Sequence, residues 1–175
     1  MTKRFYLLIC LIYCLAISSQ TQHFYTSDKL SSSQITTINQ DQTGYIWIGT
    51  EYGINKYDGY RFTTYLHQQD NANSIQSNNI AKTFVDRQGN LWVGSGMGLT
   101  LYNAANDEFE RIALPSTAAP RVNDIFQSDD HHLLIGTAGY GLYLLDIDTH
   151  KALRNWILSS PRTLISMKSV ENCPF

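Results

Sequence analysis

The sequence predicts an all-β chain, a partial β-propeller of about three four-stranded blades behind a signal peptide. Three observations predict it. Asp41, Gly44, Trp47, Gly49, Gly53 and Tyr57 recur 45 positions later as Asp86, Gly89, Trp92, Gly94, Gly98 and Tyr102. A weaker copy follows at residues 129–145, with Leu134 in the tryptophan position, then Gly136, and one residue more before Gly141. Each copy also sets turn residues between short β-branched and aromatic runs. A period of this length belongs to propeller blades or helical repeats, and the glycine punctuation excludes apolar spacing of three and four over ten or more residues.

Within the first unit, residues 35–39 alternate β-branched and polar side chains, residues 41–44 form a tight turn, and residues 45–48 form a second strand. Asp at the head of such a turn bonds its own backbone two residues on, and Gly at the fourth position takes the positive φ that closes it. Residues 51–53 turn again, residues 54–57 make a third strand, Asp58-Gly59 a third turn, and residues 60–65 a fourth strand. Residues 30–35 return as the similar stretch 75–80, so each unit includes its own approach.

The predicted divisions are a signal peptide at 1–19, a lead-in at 20–33, and repeats with their connections at 34–79, 80–120 and 121–160. Residues 161–175 read as the start of a fourth repeat. The third unit's first turn, residues 128–132, has no glycine, so the expectation is a longer loop or an Asp in the left-handed conformation. Its last strand is expected at 152–157.

Lys3 and Arg4 precede an apolar run at residues 5–17 and small residues at 16–18, the layout of a secretion signal. The run is short of the ~20 residues a spanning helix needs. Export is therefore the expectation, with an uncleaved anchor as the lesser alternative and no membrane span beyond the signal segment. Cleavage lowers the basic count from 13 to 11 against 15 acidic side chains, which gives no reason to expect a nucleic-acid partner. It also removes Cys10 and Cys14, leaving Cys173 without a partner for an internal disulfide.

The pattern Asp-x-x-Gly-x-Ile/Leu-Trp-Ile/Val-Gly-Thr/Ser, followed by Gly-Ile/Leu and a tyrosine four residues after that glycine, resembles the two-component regulator propeller repeat. With the signal and the lead-in, it resembles the N-terminal periplasmic sensor region of hybrid histidine kinase and response regulator proteins. The resemblance implies a periplasmic chain, a ligand such as a polysaccharide fragment or another nutrient, and kinase, receiver and DNA-binding domains elsewhere in the parent. Three blades are fewer than the four to eight of a closed ring. The expectation is thus a truncated or frameshifted piece of a longer sensor, partnered by the remaining blades or by self-association.

Trp47 and Trp92 invite a sugar-stacking role, but each sits mid-strand between β-branched neighbours, where a blade buries an aromatic against the next. Gly49, Gly94 and Gly136 are expected to permit close blade approach; Gly53, Gly98 and Gly141 are expected in turns. The binding candidates are positions that differ between copies and emerge on one face: Glu51, Tyr52, Met97 and Tyr140 from equivalent turns, with His67 and Arg121 from the connections. His131-His132 lacks ligands at zinc spacing and reads as a polar turn. Asp41, Asp58 and Asp86 read as turn formers and not calcium ligands. No cofactor, metal or catalytic residue is expected, since no nucleophile, base and orienting group can be assembled. Two rival readings remain open: an interaction module that completes its ring by oligomerising, and a propeller-type lyase or glycosidase.

Overall fold

The protein is described from a computed structural model covering residues 30–156. The predicted signal at 1–19, most of the lead-in and the start of a fourth repeat lie outside the described residues. Blade I comprises β1 (Ile35–Gln40), β2 (Ile46–Thr50), β3 (Gly53–Tyr57) and β4 (Phe62–Tyr65). Blade II comprises β5 (Ile80–Val85), β6 (Leu91–Ser95), β7 (Gly98–Asn103) and β8 (Glu108–Ile112). Blade III comprises β9 (Val122–Gln127), β10 (His132–Thr137), β11 (Gly141–Asp146) and β12 (Lys151–Trp156). Each blade is an antiparallel meander in sequence order, and no helix occurs among the described residues.

The first strands lie side by side, β1 against β5 and β5 against β9, so the blades stack about a common axis. The registers of the first two strands are equivalent in the three blades. Asn39 pairs Trp47, Phe84 pairs Trp92 and Phe126 pairs Leu134; Thr37, Lys82 and Asp124 pair Gly49, Gly94 and Gly136.

Two apolar layers hold the stack. Trp47 is fully buried with Ile54, Ile75, Ile80, Leu91, Val93 and Phe109 between blades I and II. Trp92 is fully buried with Val122, Ile125, Leu133, Tyr143 and Leu145 between blades II and III. The motif tryptophan therefore reaches from its own second strand into the following blade, as the sequence implies. Leu134, in the same place on blade III, is only half-buried.

The glycines beside the tryptophans explain how close the blades come. A Cβ on Gly49 would stand 2.7 Å from Ile80 Cγ2, and one on Gly94 would stand 2.6 Å from Val122 Cγ1. The first strand of each following blade thus seats a β-branched side chain where its predecessor has none. Gly136 departs from the expectation: its Cβ would meet only Asp124 of its own sheet, at 3.7 Å, so no close approach occurs there among the described residues.

The first turns behave as predicted in two blades. Gly44 and Gly89 have φ of +94° and +91°, and their N–H groups donate to the carbonyls of Asp41 and Asp86. The third turn corrects the expectation. Residues 128–132 span the same length as 41–45 and 86–90, and none of them has a positive φ. Asp129 Oδ1 accepts the His131 N–H at 2.9 Å, while the Ser128 N–H and hydroxyl both donate to the His132 carbonyl. These side-chain bonds close the loop without a left-handed residue. The last strand, β12, starts one residue earlier than expected, at Lys151, and residue 157 lies outside the described residues.

Candidate recognition face

The β2–β3, β6–β7 and β10–β11 turns lie at one end of the blades, and the inter-blade connections run against them. Hydrogen bonds fix this arrangement. The Glu51 N–H donates to the Gln34 carbonyl, Gly53 to Asn78, Gly96 to Asn79 and Ala138 to Arg121. The turns are closed by the hydroxyl that ends each second strand: Thr50 donates to the Gly53 carbonyl, Ser95 to Gly98 and Thr137 to Gly141. A small β-residue with a hydroxyl at this position satisfies a carbonyl that the tight turn leaves unpaired.

The structure brings the six candidate residues to this end but gives them different standing. Tyr52 and Met97 project into solvent, 57% and 55% exposed, on equivalent turns, with Glu51 exposed beside Tyr52. Tyr140 is half-buried against the layer between blades II and III. His67 is committed to its own connection: Nδ1 pairs the Ile75 carbonyl at 2.8 Å and its N–H donates to Asn78 Oδ1. Arg121 is exposed and donates from Nε to Asn123 Oδ1 at 3.2 Å. A cleft of about 270 Å³ lies beside Met97, lined also by Gln76, Ile112, Leu114, Ser116 and Pro120. Its lining carries no charged side chain.

The opposite end is given to turn chemistry. The carboxylates of Asp41 and Asp86 head the first turns, and each also accepts the indole N–H of its tryptophan, at 2.7 Å and 2.8 Å. Asp86 further accepts from the Asn90 backbone and side chain, and it is buried. These aspartates therefore hold the tryptophans, a role that the common six-residue spacing from Asp to Trp could have signalled. The two histidines of the third turn are paired with carboxylates, His131 Nδ1 with Asp148 and His132 Nδ1 with Asp129, each at 2.8 Å. His131 has its pKa raised, chiefly by the hydrogen bond to Asp148.

A polar cluster across the outer part of blades I and II escapes any reading of the motif. Lys56 Nζ donates to Tyr102 Oη at 2.9 Å and stands 4.4 Å from the centre of the Tyr45 ring, in cation–π range. The Tyr65 hydroxyl donates to Asp107 Oδ1 at 2.6 Å, and the Tyr102 hydroxyl donates to the same oxygen. Burial works to raise the Asp107 pKa, but the bonds from Tyr102 and Tyr65 and the charge of Lys56 outweigh it and hold the carboxyl below its ordinary value. For Asp41, burial is likewise outweighed by the hydrogen bonds from Thr43, Trp47 and Tyr45. Both carboxylates have folded pKa values below the unfolded 3.8. Their contribution to stability is present above that value and is lost as pH falls below it. We expect the melting temperature to be no lower at pH 5 than at pH 7, since the raised pKa of His131 works in the opposite direction there, and to drop below pH 4, with Asp107→Asn flattening part of the drop.

Two segments, residues 29–52 and 74–97, match the model of the two-component regulator propeller. Each matched repeat begins in the lead-in, crosses the first strand and the tryptophan strand, and ends in the turn that carries Tyr52 or Met97. This chain is also similar in sequence or in fold to known proteins. It is 36% identical over 74 residues to histidine kinase P4 of Formosa agariphila, an alignment covering 38% of this chain and 5% of that protein. It thus spans a small part of that relative's length. Among solved structures it resembles the extracellular domain of BT4673 from B. thetaiotaomicron, described there as a one-component system. The TM-score is 0.63 at 22% identity, over 78% of this chain and 18% of that one. A second structure of that domain, described as part of a hybrid two-component system, gives a TM-score of 0.59 at 20% identity, over 71% and 19% of the two chains. At this identity the likeness is one of fold.

Proposed function

We propose that the chain is part of the ligand-sensing propeller of a two-component signalling system, exported to the periplasm by the segment at 1–19. On this reading the end that gathers Glu51, Tyr52, Met97, Tyr140, His67 and Arg121 recognises an oligosaccharide or another nutrient. The observation that carries the reading is the division within the repeat. The constant Trp47, Gly49, Trp92 and Gly94 are buried between blades, whereas Glu51, Tyr52 and Met97, which change from copy to copy, stand exposed at one end, Met97 beside an uncharged cleft. Repeat scaffolds vary such positions to recognise ligands. Exposed Tyr and Met offer an apolar platform, and uncharged lining suits a neutral polyhydroxylated molecule.

The chemistry in this reading is recognition, and phosphotransfer belongs to other domains of the parent. A ligand signals only by preferring one arrangement of the sensor over another. The test is calorimetric titration of the exported chain with a panel of neutral oligosaccharides. Binding should weaken about tenfold or more in the Tyr52→Ala/Met97→Ala double variant, equivalent to roughly 1.4 kcal/mol, with its melting temperature unchanged. Binding of equal strength in the double variant would move recognition away from this face, and turnover of any oligosaccharide would favour an enzyme instead.

A further inference from the structure

The cleft beside Met97 arises from two differences between the first and second repeats. Tyr65 pairs Ile54 and Ile112 pairs Leu99, so Leu66 and Ala113 follow the fourth strand at equivalent places. In the first repeat the Leu66 side chain covers Gly53, where a Cβ would stand 2.6 Å from Leu66 Cδ2. In the second repeat Ala113 is too short to cover Gly98, and both residues line the cleft. The group that lies against Gly98 is the amide of Gln76, whose Oε1 would stand 2.5 Å from a Cβ on that glycine.

Gln76 is the second difference. Its counterpart 45 positions earlier is Ser31, whose hydroxyl shares a hydrogen bond with Thr50 Oγ1 at 3.0 Å and accepts from Asn55 Nδ2 at 2.7 Å. In the second repeat Ser95 and Thr100 stand in place of Thr50 and Asn55, and their hydroxyls donate to the carbonyls of Gly98 and Val93. Gln76 Oε1 is buried and has no hydrogen-bond partner among the described residues. A buried carbonyl oxygen in this state is unfavourable until a donor reaches it. The first repeat thus closes its polar groups internally, whereas the second leaves an acceptor in a residue that lines the cleft.

We propose that the Gln76 amide is the hydrogen-bonding centre of this cleft and holds one sugar ring at the end of a neutral oligosaccharide, an inference that rests on the recognition reading above. An amide presents an acceptor and a donor side by side, which adjacent sugar hydroxyls match. Met97 and Leu114 supply apolar wall for the ring's carbon face. The volume of about 270 Å³ lies below the roughly 300–1,000 Å³ of sites that enclose a drug-sized ligand, so the cleft admits a single ring and leaves the rest of the oligosaccharide outside.

Two substitutions test this. Gln76→Met replaces the amide with an apolar side chain of similar length, and Ala113→Leu, at an exposed position, restores the residue that covers the glycine in the first repeat. Calorimetric titration of the exported chain with neutral monosaccharides, and with the oligosaccharides that end in them, reads binding; melts without sugar read stability. A monosaccharide should bind the wild type nearly as well as the oligosaccharide it terminates. Each variant should weaken binding about tenfold or more. Gln76→Met should melt no lower than wild type, because it removes an unsatisfied acceptor. Binding that survives both variants but falls in Tyr52→Ala/Met97→Ala keeps the recognition face and overturns the role of Gln76. A lower melting temperature for Gln76→Met overturns it too, since the oxygen then has a partner in the free chain. Oligosaccharides that bind where their terminal monosaccharides do not overturn the single-ring assignment. A wild type that binds no sugar of either kind overturns the recognition reading itself, and this inference with it.

Discussion

Replacing Trp92 with alanine is expected to unfold much of the array. The indole is fully buried in the layer shared by blades II and III, against Val122, Leu133 and Tyr143. Its N–H is also the partner of a buried carboxylate oxygen of Asp86. Truncation opens a cavity that neither sheet can close, because both walls are hydrogen-bonded strands, and costs about 3–5 kcal/mol. That is comparable to the whole stability of many domains, about 5–15 kcal/mol. Trp92→Phe separates the two contributions. It keeps most of the ring volume and loses the bond to Asp86, so it should cost about 1–3 kcal/mol. Urea titration followed by circular dichroism reads both, with the midpoint of the alanine variant near zero denaturant and that of phenylalanine between it and wild type.

Gly94→Val is the second large effect, and its mechanism is the reverse. A Cβ at this position would stand 2.6 Å from Val122 Cγ1 and 3.1 Å from Val122 Cβ. Val122 is set by its own pairing with Thr137, so it cannot swing aside as the end of a long side chain would. Blades II and III must separate, and the cost is about 1–3 kcal/mol or more by overpacking. The same substitution at Gly136 provides the control, since nothing stands nearer than 3.7 Å to its Cβ. A large drop in melting temperature for Gly94→Val with little change for Gly136→Val is the expected result. Equal effects at the two glycines would mean that strand backbone, and not blade spacing, explains the motif.

Much of this fold was legible because the chain states it more than once. Trp47 and Trp92 could be assigned to inter-blade packing from their place mid-strand, and Gly44 and Gly89 to left-handed turns from the Asp three residues earlier in each motif. The third turn was misread because glycine is only one way to close such a loop. Ser128 and Asp129 do it with side-chain bonds that composition does not disclose. Gly136 shares the position of Gly49 and Gly94, but a recess is defined by what enters it, and that residue must come from another blade. The cluster of Lys56, Tyr65, Tyr102 and Asp107 joins strands of two blades, so no local pattern marks it. At the end where the second turns lie, Tyr52 and Met97 stand at the surface, as their turn positions imply. The commitment of His67 to the Ile75 carbonyl depends on the path of the 66–79 connection, and no periodicity encodes that path.

The repeated tryptophans are scaffold, and the varying turn residues Tyr52 and Met97 are free surface. Unfolding free energies of Trp92→Ala and of the Tyr52→Ala/Met97→Ala double variant, measured side by side in urea, test it most directly. The first is expected to lose about 3–5 kcal/mol and the second to change by no more than about 0.5 kcal/mol. A Trp92→Ala protein as stable as wild type, or a double variant that unfolds, would contradict it.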